Sequence, residues 1–414
     1  MSINKQFSAL IVAIRTWGGR KNPIHKILLE LSVQIVAVPC FVVAYALLAS
    51  ISFFKPIRVG FLEARPLGHL ALNLDLFLRR RQLGEYPKNA IYLFFVYHAA
   101  NEQLLKMFKR HFYVCELFWF GRLFSLIGIL GTRFFQKLNM DSNEYDVYQN
   151  TQCELRFLAH EESKGAKELS NLGIPLGAWF VCIFARDSAH YTTVYSLNSP
   201  SMALRDGDID TYIKAAEFIT SKGGYVIRMG KNVSKPFGYK HPKVIDYAIN
   251  HRSDFMDVYL TAKCKFYLGT ASGGADMARI FDKPHLAVNW IQIGWAPWGK
   301  NEIYIPKTLC YRKSRNQVPY EKALLLTNSW RTSLGFDLKA ELDRLRLDLV
   351  DNTSEQILEG AKEMFARLEG TFIESPEYLA AMNKYFEHRH KTNHFCRFVY
   401  SPIVASYVLT LNLS

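Results

Sequence analysis

The sequence predicts an α/β protein built from two Rossmann-like halves, and three observations carry that prediction. Short apolar runs alternate with helix-forming stretches from residue 57 onward, as parallel strands with helices on the faces of their sheet require. Some of these runs are continuous rather than alternating in polarity, which marks strands buried on both faces; residues 179–185, WFVCIFA, are the clearest. Two runs end in small-residue turns that open helices, at residues 63–70 and 269–274.

The 414 residues suffice for two ordinary domains with additions. A hydrophobic content of 49 % against 21 % charged residues excludes a disordered chain. The net charge of +14 suits anionic lipids, phosphorylated ligands or nucleic acid. Its basic residues are spread with no long Lys/Arg block, which places nucleic acid last. Seven scattered cysteines with no CxxC spacing fit reduced, mostly buried thiols and no zinc site.

In chain order, residues 1–20 read as an amphipathic helix with Ile3, Phe7, Leu10, Ile14 and Trp17 on one face. Residues 31–54 carry no charge, long enough for a span, but Pro39 kinks any helix there. The basic flank (Lys5, Arg15, Arg20, Lys21, Lys26) and Lys55 with Arg58 favour the cytoplasmic side for both ends, as in a re-entrant hairpin. Residues 57–62 are the first strand, and a helix over 72–80 follows its turn. Strands at 90–97 and 112–115 flank a helix at 102–110. Residues 117–138, aromatic and basic, predict one helix at a lipid interface or between domains. The boundary falls at Gly173-Ile174-Pro175-Leu176-Gly177.

The second half opens on the 179–185 strand, which runs into Arg186-Asp187. Asp208-Ile209-Asp210 reads as a helix start for residues 211–221, stopped by Gly223-Gly224. Tyr225-Val226-Ile227 leads into Arg228. The strand Phe266-Tyr267-Leu268 leads into Gly269-Thr270-Ala271-Ser272-Gly273-Gly274, and 286–288 is another strand. Thr353 and Gln356 form a capping box for a helix to residue 368. The apolar tail, 395–413, is expected to pack on the first domain or beside the membrane segment.

The domains are thus 1–55, 56–172, 173–370 and a tail at 371–414. Open parallel sheets gather chemistry at the carboxyl ends of their strands. Arg186, Arg228 and the loop Gly269, Thr270, Ser272, Gly273 and Gly274 all occupy that position. Two guanidinium groups and a glycine-rich helix start suit a diphosphate, although the loop is neither a GxxxxGK[ST] nor a GxGxxG motif. A tight turn that needs small residues is the plainer reading of the loop. His69, on the first domain's turn, is the candidate base, with Asp187 and then Glu63 as competitors. Arg65 stands on the same turn. The histidines near residue 390 lack carboxylate or thiol neighbours at ligand spacing, so no metal is expected.

The ordered runs Arg186-Asp187, DIDTY at 208–212, GGYVIRMG at 223–230, VIDYA at 244–248, SDFMDV at 253–258, FYLGTASG at 266–273 and RPLGHLALN at 65–73 resemble a family of glycosyltransferases encoded with bacterial surface-polysaccharide genes. The resemblance covers most of residues 57–370. It implies the GT-B architecture, two Rossmann-like domains facing a cleft, preceded here by membrane-associated helices. It also implies a nucleotide sugar on the second domain, an acceptor on the first near Arg65 and Asn73, and no required metal or cofactor. The strand ending at Arg186 is also similar to a fucosyltransferase strand ending His-x-Arg, with Phe184 in place of the histidine. The expected reaction is metal-independent, inverting transfer from a nucleotide-sugar donor to a saccharide or lipid-linked acceptor. Its expected place is the cytoplasmic face of the bacterial inner membrane, with membrane lipids and no nucleic acid as partners. A nucleotide-sugar epimerase and a noncatalytic membrane-bound assembly protein are the alternatives.

Overall fold

A computed structural model describes residues 42–43, 45–116, 133–138, 144–187, 189, 200–291, 293, 296–327, 337–392 and 401–411. The expected helix at 1–20, the start of the apolar segment and residues 117–132 lie outside them.

The first sheet has three parallel strands in the order β1 (Ile57–Glu63), β2 (Ile91–Tyr97), β3 (Tyr113–Cys115). Helices α1 (Leu67–Gln82) and α2 (Glu102–Phe108) follow β1 and β2. Asn101 starts α2, its side chain accepting from Leu104 N at 2.9 Å. The single helix expected over 117–138 does not reach its end. Phe134 O accepts from Val59 N at 2.7 Å, and Gln136 N donates to Val59 O at 2.8 Å. These bonds satisfy backbone groups on the open edge of β1, and that edge outweighs the segment's helix-like composition.

The second sheet has six parallel strands: β4 (Phe180–Phe184), β5 (Tyr225–Arg228), β6 (Val244–Ile245), β7 (Tyr267–Gly269), β8 (His285–Trp290) and β9 (Glu302–Pro306). Their order is β6-β5-β4-β7-β8-β9, so the direction of winding reverses between β4 and β7. A two-stranded antiparallel sheet, β10 (Thr308–Tyr311) with β11 (Leu347–Val350), is appended. The helices packed with this half include α3 (Ala159–Asn171), α4 (Ile213–Ser221), α5 (Asp254–Lys263), α6 (Gly273–Ile280), α7 (Ser354–Leu368) and α8 (Pro376–Thr392). The capping box at the start of α7 forms as the sequence predicts: Thr353 Oγ1 accepts from Gln356 N at 3.2 Å and Gln356 Oε1 accepts from Thr353 N at 2.9 Å. Asp208 likewise caps its helix start, accepting from Asp210 N at 3.0 Å.

The two halves share an apolar core. Val258 of α5 and Met277 and Ile280 of α6 belong to the cluster built on Leu70, Leu74, Phe77 and Phe94 of the first half. Buried Arg79 of α1 crosses the same interface, donating to Ile280 O at 3.1 Å and Asp282 Oδ1 at 2.9 Å.

The described part of the tail departs from expectation. Ile403, Val404, Tyr407 and Val408 pack into the second half's core rather than on the first domain. Pro402 O accepts from Tyr304 N and Tyr304 O accepts from Val404 N, both at 3.1 Å. The tail therefore covers the open edge of β9, which no further strand protects.

Candidate active site

In a sheet of this winding the crevice lies where the strand order reverses, at the carboxyl ends of β4 and β7. Phe184 pairs with Gly269 there. A side chain at Gly269 would put its Cβ 2.6 Å from Phe184 O, so only glycine lets the strands close. Thr270 N donates to Phe184 O at 3.2 Å, and buried Thr270 Oγ1 accepts from Arg186 N at 2.9 Å. The predicted strand end and the predicted loop are thus bonded to each other.

Ser272 caps α6: its backbone is extended and its Oγ accepts from Ala275 N at 3.3 Å. Gly273 and Gly274 form the first helical turn, where amide groups and the helix dipole favour an anion. A Cβ on Gly274 would lie 2.5 Å from the Tyr267 hydroxyl.

The two glycine turns touch. A Cβ on Gly68 would fall 2.5 Å from Asp276 Oδ2, and one on Gly273 would fall 2.7 Å from Leu67 Cβ and 2.8 Å from Gly68 N. The start of α1 therefore abuts the start of α6. Arg65 and His69 are exposed on the first side of that junction, and Asn73 lies about one turn further along α1, half-buried. Burial pushes the Asp276 carboxyl above its usual range, against the pull of Arg279.

The arginines are buried and engaged. Arg186 pairs with Asp206. Arg228, only 1 % exposed, donates to Asp246 Oδ1 and Lys235 O, both at 3.1 Å. Asp246 Oδ2 also accepts from Phe237 N at 2.8 Å, so Arg228 and Asp246 together hold the loop after β5. Asp187 joins the loops after β4 and β5: Oδ1 accepts from Ala189 N at 3.0 Å, and Oδ2 from Ser234 N at 2.9 Å and Ser234 Oγ at 3.1 Å. The structure thus brings Arg186 to the Thr270 loop and sets Arg228 and Asp187 in the neighbouring loop scaffold.

Two residues here escape a reading of the sequence. Arg205 donates to Ala271 O at 3.3 Å, adding a cation beside the glycine loop. Asn289, next to last in β8, has φ of 52° and exchanges backbone-to-side-chain bonds of 2.6 Å with Asn352. Neither position has a periodic or motif signal. Among the described residues, no three His, Cys, Asp or Glu side chains gather as a metal site.

No family model matches the chain, and no curated protein matches it in sequence. Among solved structures, it is similar to ADP-heptose lipopolysaccharide heptosyltransferase II of E. coli, with 12 % identity, 76 % of this chain and 100 % of that one covered, and a TM-score of 0.44. A glycosyl transferase family 9 structure from Veillonella parvula gives 10 % identity, 76 % and 98 % coverage and 0.45. A Listeria monocytogenes protein assigned as a UDP-N-acetylglucosamine 2-epimerase gives 10 %, 83 %, 99 % and 0.31.

Proposed function

We propose that this chain is a GT-B-type glycosyltransferase that moves a sugar from a nucleoside-diphosphate sugar to a saccharide or lipid-linked saccharide hydroxyl in bacterial surface-polysaccharide synthesis. The observation that carries the reading is the junction of α6 with the α1 turn. An anion-favouring helix start at the strand-order reversal meets the other half's turn, where His69 and Arg65 are exposed. The acceptor hydroxyl attacks the anomeric carbon while its proton passes to His69, and the diphosphate leaves from the opposite face, inverting the centre. The start of α6, with Arg186 and Arg205 beside it, stabilises the charge that develops on the leaving group. This assignment asks no metal to share that charge. The place of action is the cytoplasmic face of the inner membrane.

The noncatalytic alternative draws on one observation. Arg186, Arg228 and Asp187 each already hold a partner inside the protein, as structural residues do.

The test is binding of UDP, GDP, CDP, TDP, ADP and CMP to the purified full chain, wild type and Arg186→Ala. One nucleotide bound selectively, and at least tenfold more weakly by the variant, is expected from the loss of a charge-assisted contact of about 1.5–3 kcal/mol. Binding of none by folded protein refutes the donor site.

A further inference from the structure

Residues 45–54 form a helix that the first sheet does not bury. Its inner side is satisfied: Leu48 packs with Val59, Phe95 and Phe134, and the Tyr45 ring meets that of Phe134 edge-on at 5.2 Å. Its outer side is apolar. Phe53 and Phe54 are each 87 % exposed, Leu47 58 % and Ile51 45 %, with Val42 and Val43 just before it at 59 %. Residues 42–54 hold no charge, so this outer surface has no means of balancing its exposed apolar area in water.

Two cations border the patch. Lys55 ends the helix, and exposed Arg133 stands over the Phe134 ring with 5.0 Å between guanidinium carbon and centroid. From residue 31 to residue 62 the sequence has no Asp or Glu, and from 117 to 140 it has none either, while Lys55, Arg58, Arg122, Arg133 and Lys137 occur there. An apolar face rimmed by cations complements an anionic bilayer surface.

We infer that the helix of residues 45–54 lies in the plane of an anionic lipid surface, with Phe53 and Phe54 inserted among the acyl chains. This inference goes beyond glycosyl transfer and does not depend on it. It gives the protein a lipid attachment through its first half.

The experiment uses the full chain in detergent, diluted into phosphatidylcholine vesicles with and without phosphatidylglycerol. A Phe53→Trp variant is read against wild type for blue-shifted emission and for quenching by lipids brominated in the acyl chains. Quenching with phosphatidylglycerol present is expected, and its absence overturns the inference. A Phe53→Asp/Phe54→Asp double variant should melt as wild type does, because both rings are exposed, and should partition roughly tenfold or more weakly. Unchanged partition, or dispersal of an oligomer with vesicle binding intact, overturns the lipid assignment in favour of a second copy. None of these readings involves a nucleotide, so their failure leaves the donor-site test standing.

Discussion

Replacing Arg79 by methionine should destabilise the protein strongly above neutral pH and weakly in mild acid. Arg79 is fully buried between the two halves. Its Nε donates to Asp75 Oδ2 at 2.6 Å, the other nitrogens reach Thr151 Oγ1 at 3.3 Å, Ile280 O and Asp282, and the guanidinium carbon lies 4.0 Å from the Tyr148 ring centroid. Methionine fills the stem and removes the charge, stranding the Asp75 carboxylate with only the Tyr148 hydroxyl at 2.6 Å. Breaking a buried pair in this way costs about 3–5 kcal/mol. Burial already pushes the Asp75 carboxyl up to about 6 despite Arg79, and without the arginine it rises further. At pH 5 the folded variant therefore holds Asp75 protonated and neutral. The remaining loss is that of hydrogen bonds, about 1–2 kcal/mol. In wild type the same group binds its proton more tightly folded than unfolded. Its contribution to stability is present below about pH 4 and falls by about 3 kcal/mol as pH rises to about 6. Urea unfolding of both proteins at pH 5 and pH 8, followed by tryptophan emission, measures the difference; Trp298 lies 5.1 Å from Tyr148 and reports on the interface. Equal destabilisation at the two pH values, or less than about 1 kcal/mol at pH 8, would refute the assignment of a buried pair.

Gly68→Ala forces the Asp276 carboxylate, 2.5 Å from the new methyl, or the start of α1 to move. Calorimetry should show a loss of about 1–3 kcal/mol, and sugar transfer should fall by more than stability alone explains. Asp187→Asn separates base from staple. Retained turnover with a small drop in Tm supports its Ser234 bonds as its role, whereas a fall of about 10²-fold or more in kcat moves the base from His69 to Asp187. Thr353→Ala removes the cap of α7 and should cost about 1 kcal/mol in denaturant unfolding, with nucleotide binding unchanged.

What was legible in the sequence was what local chemistry determines. The strands at 57–63, 91–97, 180–184 and 225–228, the turn at 269–274, the cap at Asp208 and the box at Thr353 follow from apolar runs, glycines and capping side chains. The β10–β11 pair gives no comparable signal, because its strands are short and lie far apart in sequence: Thr308 aligns with Val350. Residues 134–136 were misread because their composition favours a helix while an open strand edge dictates extension. The Arg186–Thr270 bond and the Arg205 contact arise from loops brought together by winding of the sheet. The Asn289–Asn352 pair spans 63 positions and depends on a left-handed backbone at Asn289, which a single sequence does not announce.

Enzymes with separate donor and acceptor domains invite recombination, in which one half is exchanged to change one specificity. Here such an exchange meets an obstacle, because Val258, Met277 and Ile280 belong to the second half and complete the first half's interior. A foreign first domain grafted at residue 173 would face side chains shaped for another partner, and a transplant that kept Gly68 without Asp276 would lose the match between the two turns. The unit that must move intact is therefore the first half together with the inward faces of α5 and α6. Under the proposed function, a new acceptor is reached more readily by changes in exposed residues around Arg65 and His69 than by exchange of whole halves.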